Sequence, residues 1–108
     1  MLAKKFHLPV QGASRLKSSY RSRHFIFRER SNDLPFSRFG IVIGKSVEKK
    51  ATGRNKIKRI LFNFIRLKKF HLRPGRDALI IALPQAANLK DEDIQKELNE
   101  FLNNKQHG

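Results

Sequence analysis

The longest regular pattern of apolar and polar positions runs from Arg54 to Phe70, RNKIKRILFNFIRLKKF. At about 100° per residue, Ile57, Ile60, Leu61 and Phe64 share one apolar stripe, with Ile65 and Leu67 at its margins. That spacing (i, i+3, i+4, i+7) predicts a helix laid on a core. The opposite face carries Asn55, Arg59, Phe62 and Arg66, with Lys58 and Lys69 beside them. The helix is therefore apolar below and cationic above. Phe62 among those cations is either a packing contact to a neighbouring segment or a stacking surface. Thr52 is placed to cap the helix start, and Pro74 and Gly75 break the chain after it.

The flanking patterns have a period of two. In His24 to Glu29, HFIFRE, Phe25, Phe27 and Glu29 face one way and His24, Ile26 and Arg28 the other, which predicts a strand. Turn residues follow in SNDLP, Ser31 to Pro35. Arg38 to Lys45, RFGIVIGK, predicts a second strand, and a hairpin is the simplest pairing of the two. Gly40 and Gly44 leave one face of that strand bare, which suits close approach by another element or a ligand. Asp77 to Leu83, DALIIAL, is a nearly continuous apolar run and predicts a central strand covered on both faces. Asp91, Glu92 and Asp93 then complement the start of a last helix whose stripe is Ile94, Leu98, Phe101 and Leu102. Strand–helix–strand implies a parallel pair inside a mixed sheet. The expected fold class is α+β: one domain over residues 1–108, an α/β sandwich with helices packed on one face of a mixed sheet. Residues 1–23 read as a basic, partly flexible segment. Leu2, Phe6 and Val10 make a short helical stripe that Pro9 interrupts, and Gly12 to Arg23 reads as a solvated loop with Tyr20 among its cations, either a flexible arm or one that orders on RNA with Tyr20 stacking. Residues 104–108 read as a frayed tail.

Charge changes this picture from a fold to a partner. Residues 1–76 hold 21 Lys and Arg against Glu29, Asp33 and Glu48, a net of +18; residues 77–108 hold three Lys against six acids, a net of −3. The cations are confined to one region, and self-repulsion of that size is relieved by a polyanion, most simply nucleic acid. The start of the central helix makes the same point locally. Arg54, Asn55 and Lys56 sit where the helix dipole is already positive, at a cost of about 0.3–1 kcal/mol per cation, and bound phosphate would offset it. No segment is both greasy and basic enough to lie in lipid. The chain has no Cys, no apolar run of the ~20 residues a membrane span needs, and no signal-peptide pattern at its N-terminus, so a cytoplasmic protein is expected.

Chemistry within the chain is thin. The acids of the basic region are isolated in sequence, where a metal-dependent nuclease needs clustered carboxylates. His7, His24, His71 and His107 are scattered over loops and ends, and no phosphate-loop pattern is present. The residues describe a binder, which leaves open a processing subunit or a structural RNA-binding protein such as a ribosomal component; an autonomous nuclease would have to cleave RNA by itself.

The stretch GIVIGKSVEKKATGRNKIKRILFNFIR, Gly40 to Arg66, resembles the protein subunit of bacterial ribonuclease P. Arg54, Asn55, Lys58 and Arg59 match that family's helix-opening basic motif, and Lys56 stands for its second Arg, keeping the charge without the planar fork. Arg66 matches a later helix Arg, whereas Phe62 and Asn63 replace a commonly charged pair. The similarity extends through RPGRDALIIALP to the last helix and covers most of residues 20–103. It implies a subunit of an endoribonuclease that removes 5′ leaders from precursor tRNA. Catalysis is carried by the large RNA, with Mg2+ held mainly by the RNA subunit and substrate phosphates. The implied partners are the catalytic RNA and precursor tRNA, with no membrane and no protein partner required. The implied fold is ribosomal protein S5 domain 2-like with a left-handed strand–helix–strand crossover, the reverse of the general rule. On this resemblance Arg54, Asn55, Lys56, Lys58, Arg59 and Arg66, with Lys45, Lys49 and Lys50 in the preceding loop, contact RNA. Phe6, Val10, Phe25, Phe27 and Arg28 are the candidates for a leader cleft between the sheet and an N-terminal helix. No catalytic residue and no metal ligand is expected in the protein itself.

Overall fold

The computed structural model describes residues 2–9, 18–88 and 90–103. Four strands form one mixed sheet: β1 (Ser18–Arg21), β2 (Phe25–Ser31), β3 (Arg38–Val42) and β4 (Arg76–Ala82), in the order β1-β2-β4-β3. Helix α1 (Ala51–Leu67) connects β3 to β4, and α2 (Asp91–Asn103) closes the described chain. The continuous apolar run of β4 is explained by its central place: it pairs antiparallel with β2 and parallel with β3.

The expected hairpin between the second and third strands does not form. Between them lies β4, whose unbroken apolar residues gain more by sitting between two neighbours than at an edge. The hairpin partner of β2 is β1, part of the stretch read as a loop: Ser19, Tyr20 and Arg21 pair with Arg28, Phe27 and Ile26. Its polar, basic composition is that of a protected edge strand, which hides it from a hydropathy reading. Among the described residues 2–9 there is likewise no regular helix. Residues Lys4–Phe6 form one 3-10 turn, and the chain then extends alongside β3, with the Leu8 N–H donating to the Phe39 carbonyl at 2.9 Å.

The core lies on one face of the sheet. Phe25 and Phe27 of β2, Phe39 and Ile41 of β3, and Ala78, Ile80 and Ala82 of β4 are buried there beneath both helices. Phe101 of α2 stacks on Phe27 with centroids 4.2 Å apart. The predicted stripe of α2 is buried as expected, together with Glu97. That carboxylate accepts the His24 backbone N–H at 2.8 Å and also meets the Ser22 hydroxyl and His24 Nδ1, tying α2 to the β1–β2 turn. The stripe of α1 is rotated from its expected direction: Leu61, Phe62, Phe64 and Ile65 are buried, Ile57 and Ile60 half-buried, and Leu67 is exposed. The cause is the N-terminal segment, which covers the Phe62 side of the helix; the His7 ring stacks on Phe62 at 4.6 Å and 8°. Phe62 is thus a packing residue.

Candidate nucleic-acid interface

Helix α1 begins at Ala51, and no side chain caps it from Lys50. Thr52, expected to cap the helix, lies inside it, and Glu48 Oε1 accepts the N–H of Lys50, the residue before the helix, at 3.1 Å. Gly53 leaves room for this: a Cβ there would meet Glu48 Cγ at 2.6 Å. Arg54 donates from Nη1 to the carbonyls of Glu48 and Lys49 at 2.9 and 2.8 Å, so it closes the loop against the helix and is half-buried. Beyond this clamp the helix has no acid in its first turn. Asn55, Lys56, Arg59 and Arg66 are exposed, as are Lys45, Lys49 and Lys50 in the loop, and Lys58 is half-buried beside His7 and Phe62. The exposed edge of α1 and its leading loop therefore form one cationic surface. Its positive charge is reinforced by the N-terminal dipole, the physical requirement for holding RNA phosphates.

The second surface is the sheet face turned away from the helices. Register places three rows on it: Arg30, Asp77 and Arg38; then Ser19, Arg28, Leu79 and Gly40; then Arg21, Ile26, Ile81 and Val42. Leu8 covers Leu79. A Cβ on Gly40 would lie 3.1 Å from the Leu8 carbonyl oxygen, so the bare position admits the N-terminal segment, as its glycine suggested. Ile26, Val42 and Ile81 stay partly accessible and Arg28 and Arg21 are exposed. Apolar patches bordered by arginines suit unpaired bases and their phosphates.

The leader-cleft candidates fall in different places. Phe25 and Phe27 have no accessible surface and belong to the helix-covered face. Phe6 is buried between Phe36 and His71, with centroids 5.2 and 4.6 Å away. Arg28 alone of the set lies open, and Val10 falls outside the described residues. The open face instead presents Ile26, Val42 and Ile81; the alternation put Ile26 on the second face, but which face stayed open depended on where both helices packed.

The buried acids are engaged. Asp77, fully buried, receives hydrogen bonds from Arg30, Arg38 and Asn32. Burial pushes its carboxyl up, but the bonds from Arg38, Asn32 and Arg30 and the charge of Arg38 outweigh that and hold it below the usual carboxylate range. The same hydrogen bond raises Arg38, against the desolvation that lowers it. Glu29 pairs with Arg76, whose Nε lies 3.1 Å away. Among the described residues no three His, Asp or Glu side chains gather as a metal site. These acids do not fit a divalent ion held by the protein.

Comparison with known proteins gives this arrangement its family. The Ribonuclease P family profile matches residues 11–106. The chain belongs to the ribonuclease P protein family. It is 39% identical over 80 residues to the ribonuclease P protein component of Aliivibrio fischeri, covering 74% of this chain and 68% of that protein. To the Aliivibrio salmonicida protein it is 37% identical over 95 residues, 86% of this chain and 80% of the relative. A mutant of the Staphylococcus aureus RNase P protein, described as defective in mRNA degradation, superposes with a TM-score of 0.78 at 26% identity, covering 93% and 87% of the two chains. The Thermotoga maritima RNase P protein superposes at 0.76 and 25% identity, over 89% and 94%. RNA binding and tRNA processing follow from membership in the family, as the protein component of an RNA-containing holoenzyme.

Proposed function

We propose that this chain binds the catalytic RNA of ribonuclease P through the cationic edge of α1 and holds the 5′ leader of precursor tRNA on the open face of the sheet. The observation that carries the reading is the segregation of α1: Leu61, Phe64 and Ile65 are buried, while Asn55, Lys56, Arg59 and Arg66 stand in solvent on the other side. Four or more phosphates neutralised there would let RNA segments approach that otherwise repel one another, a task Mg2+ performs in the protein's absence. The metal belongs to the RNA subunit and substrate phosphates, which agrees with acids engaged by arginines and His24 in this chain. The protein's own part is to bind and orient: the helix edge fixes the RNA subunit, and the open face positions the single strand next to the cleavage site. A ribonucleoprotein of this kind works in the cytoplasm.

Reconstitution tests it. Precursor tRNA is incubated with a bacterial RNase P RNA over a Mg2+ titration, with and without the chain. The reading expects cleavage at Mg2+ concentrations where the RNA alone is inactive, with the mature 5′ end as product. Tight binding to the RNA without any gain in cleavage would leave a general RNA-binding protein, and cleavage by the chain alone would overturn the assignment of catalysis to the RNA.

A further inference from the structure

Arg30 on β2, Asp77 on β4 and Arg38 on β3 stand side by side across the open face. Asp77 Oδ1 accepts from Asn32 Nδ2 at 2.7 Å and from Arg38 Nε at 2.9 Å. Its Oδ2 accepts from Arg38 Nη2 at 2.7 Å and from Arg30 Nε at 3.1 Å. The carboxylate has no accessible surface, whereas the two arginine side chains keep 30% and 28% of theirs. One carboxylate therefore fixes two guanidinium groups at the rim of the face.

The charge count is the informative part. One arginine suffices to neutralise Asp77, and Asn32 already satisfies part of its hydrogen-bonding capacity. The second arginine leaves the group at net +1, with two like charges held on one carboxylate, an arrangement that a further anion relieves. Each guanidinium has five N–H donors in one plane and turns its Nε–Nη2 edge to Asp77, so donors remain that the carboxylate does not use. Arg28 lies one row further along the same face.

We propose that Arg30 and Arg38, held in place by Asp77, form a phosphate-binding fork for the backbone of a single-stranded RNA lying on the open face. Arg30 and Arg38 touch the phosphate; Asp77 is a positioning residue. The inference rests on the reading of this face as the leader surface, and its test separates the two.

The holoenzyme is reconstituted from the chain and a bacterial RNase P RNA, and its Kd is measured for a precursor tRNA and for the mature tRNA of the same sequence. The double variant Arg30→Lys/Arg38→Lys keeps the charge and the ion pairing but loses the planar fork. It is expected to weaken precursor binding about tenfold and to leave mature tRNA binding unchanged. Arg30→Gln, which leaves Arg38 bidentate on Asp77, is expected to reduce the salt slope of precursor binding by about 0.7. A merely structural role would lower thermal stability without changing the ratio of precursor to mature affinity in the folded protein, and that result overturns the fork. Arg28→Ala provides the separation. If it weakens precursor binding while the Arg30 and Arg38 variants do not, the fork fails and the leader surface stands. If none of the three changes the ratio, the leader surface itself fails.

Discussion

Gly40→Ala probes the junction on which the open face depends. A Cβ at this position would lie 3.0 Å from Leu79 Cδ1, 3.1 Å from the Leu8 carbonyl oxygen and 3.5 Å from Leu8 Cβ. The leucine methyl can rotate away; the backbone oxygen cannot, because the Leu8 N–H is bonded to the Phe39 carbonyl at 2.9 Å. Overpacking of this kind costs about 1–3 kcal/mol, against about 0.5–1 kcal/mol gained by replacing Gly inside a strand. Releasing the N-terminal segment instead would forfeit Leu8 burial, about 1.5–3 kcal/mol, that hydrogen bond, about 0.5–1.5 kcal/mol, and the stack of His7 on Phe62, about 0.5–1.5 kcal/mol. Release costs more than the clash, so the segment stays and the strain is absorbed. A net loss of about 1 kcal/mol corresponds to a Tm lower by about 4–8 °C. The bulkier Gly40→Val raises the clash toward the cost of release, and the segment detaches. Thermal unfolding by circular dichroism gives the first quantity, and amide exchange at Leu8 reports the second. A Gly40→Ala protein as stable as the parent, with Leu8 equally protected in Gly40→Val, would refute the placement of the segment over Gly40.

Three further outcomes are expected. Phe27→Ala removes a fully buried ring stacked on Phe101 and should cost about 3–5 kcal/mol in urea unfolding; full stability with lost leader affinity would return Phe27 to the leader surface. Arg59→Ala, at an exposed position of α1, should leave stability within about 0.5 kcal/mol and reduce the salt slope of RNA binding by roughly 0.9; an unchanged slope would remove Arg59 from the interface. Burial lowers the pKa of His71, reinforced by the Arg66 charge and opposed by the Ile65 carbonyl, so the unfolded chain takes up a proton first. Its contribution is therefore intact above the ordinary value of 6.5 and is lost as pH falls below it. Unfolding free energies measured between pH 5 and 8 should decline on the acid side, less so in His71→Phe, and a flat profile in both proteins would exclude this linkage.

What the chain disclosed in advance follows from which interactions are local. The stripe of α2 was legible because its periodicity is set by one neighbour layer, and β4 because a nearly continuous apolar run marks a central strand, although Ile81 on its second face stays partly accessible. Helix α1 was legible in extent to within three residues at either end, but not in rotation, because the segment that buries Phe62 comes from residues over fifty positions away. Polar β1 carried no apolar signal, and only its pairing with β2 makes it a strand. The cationic residues of α1 were identifiable from sequence, whereas the structural use of Arg54 was not, since it depends on how the preceding loop folds back. That Phe25 and Phe27 lie under the helices was not legible for a similar reason: alternation sorts residues into two faces and cannot say which face the helices cover. The row of Arg30, Asp77 and Arg38 was beyond reach, because it exists only once β4 is inserted between β2 and β3.

The central claim is that α1 meets the RNA with its cationic edge. The chain has no cysteine, so a single one can carry a hydroxyl-radical probe. Placed by Asn63→Cys, between Arg59 and Arg66, the probe should cleave the RNase P RNA at a few discrete sites in the reconstituted holoenzyme. Placed by Glu100→Cys, at an exposed position of α2, it should give only background. Discrete cleavage from α2 with none from α1 would contradict the account.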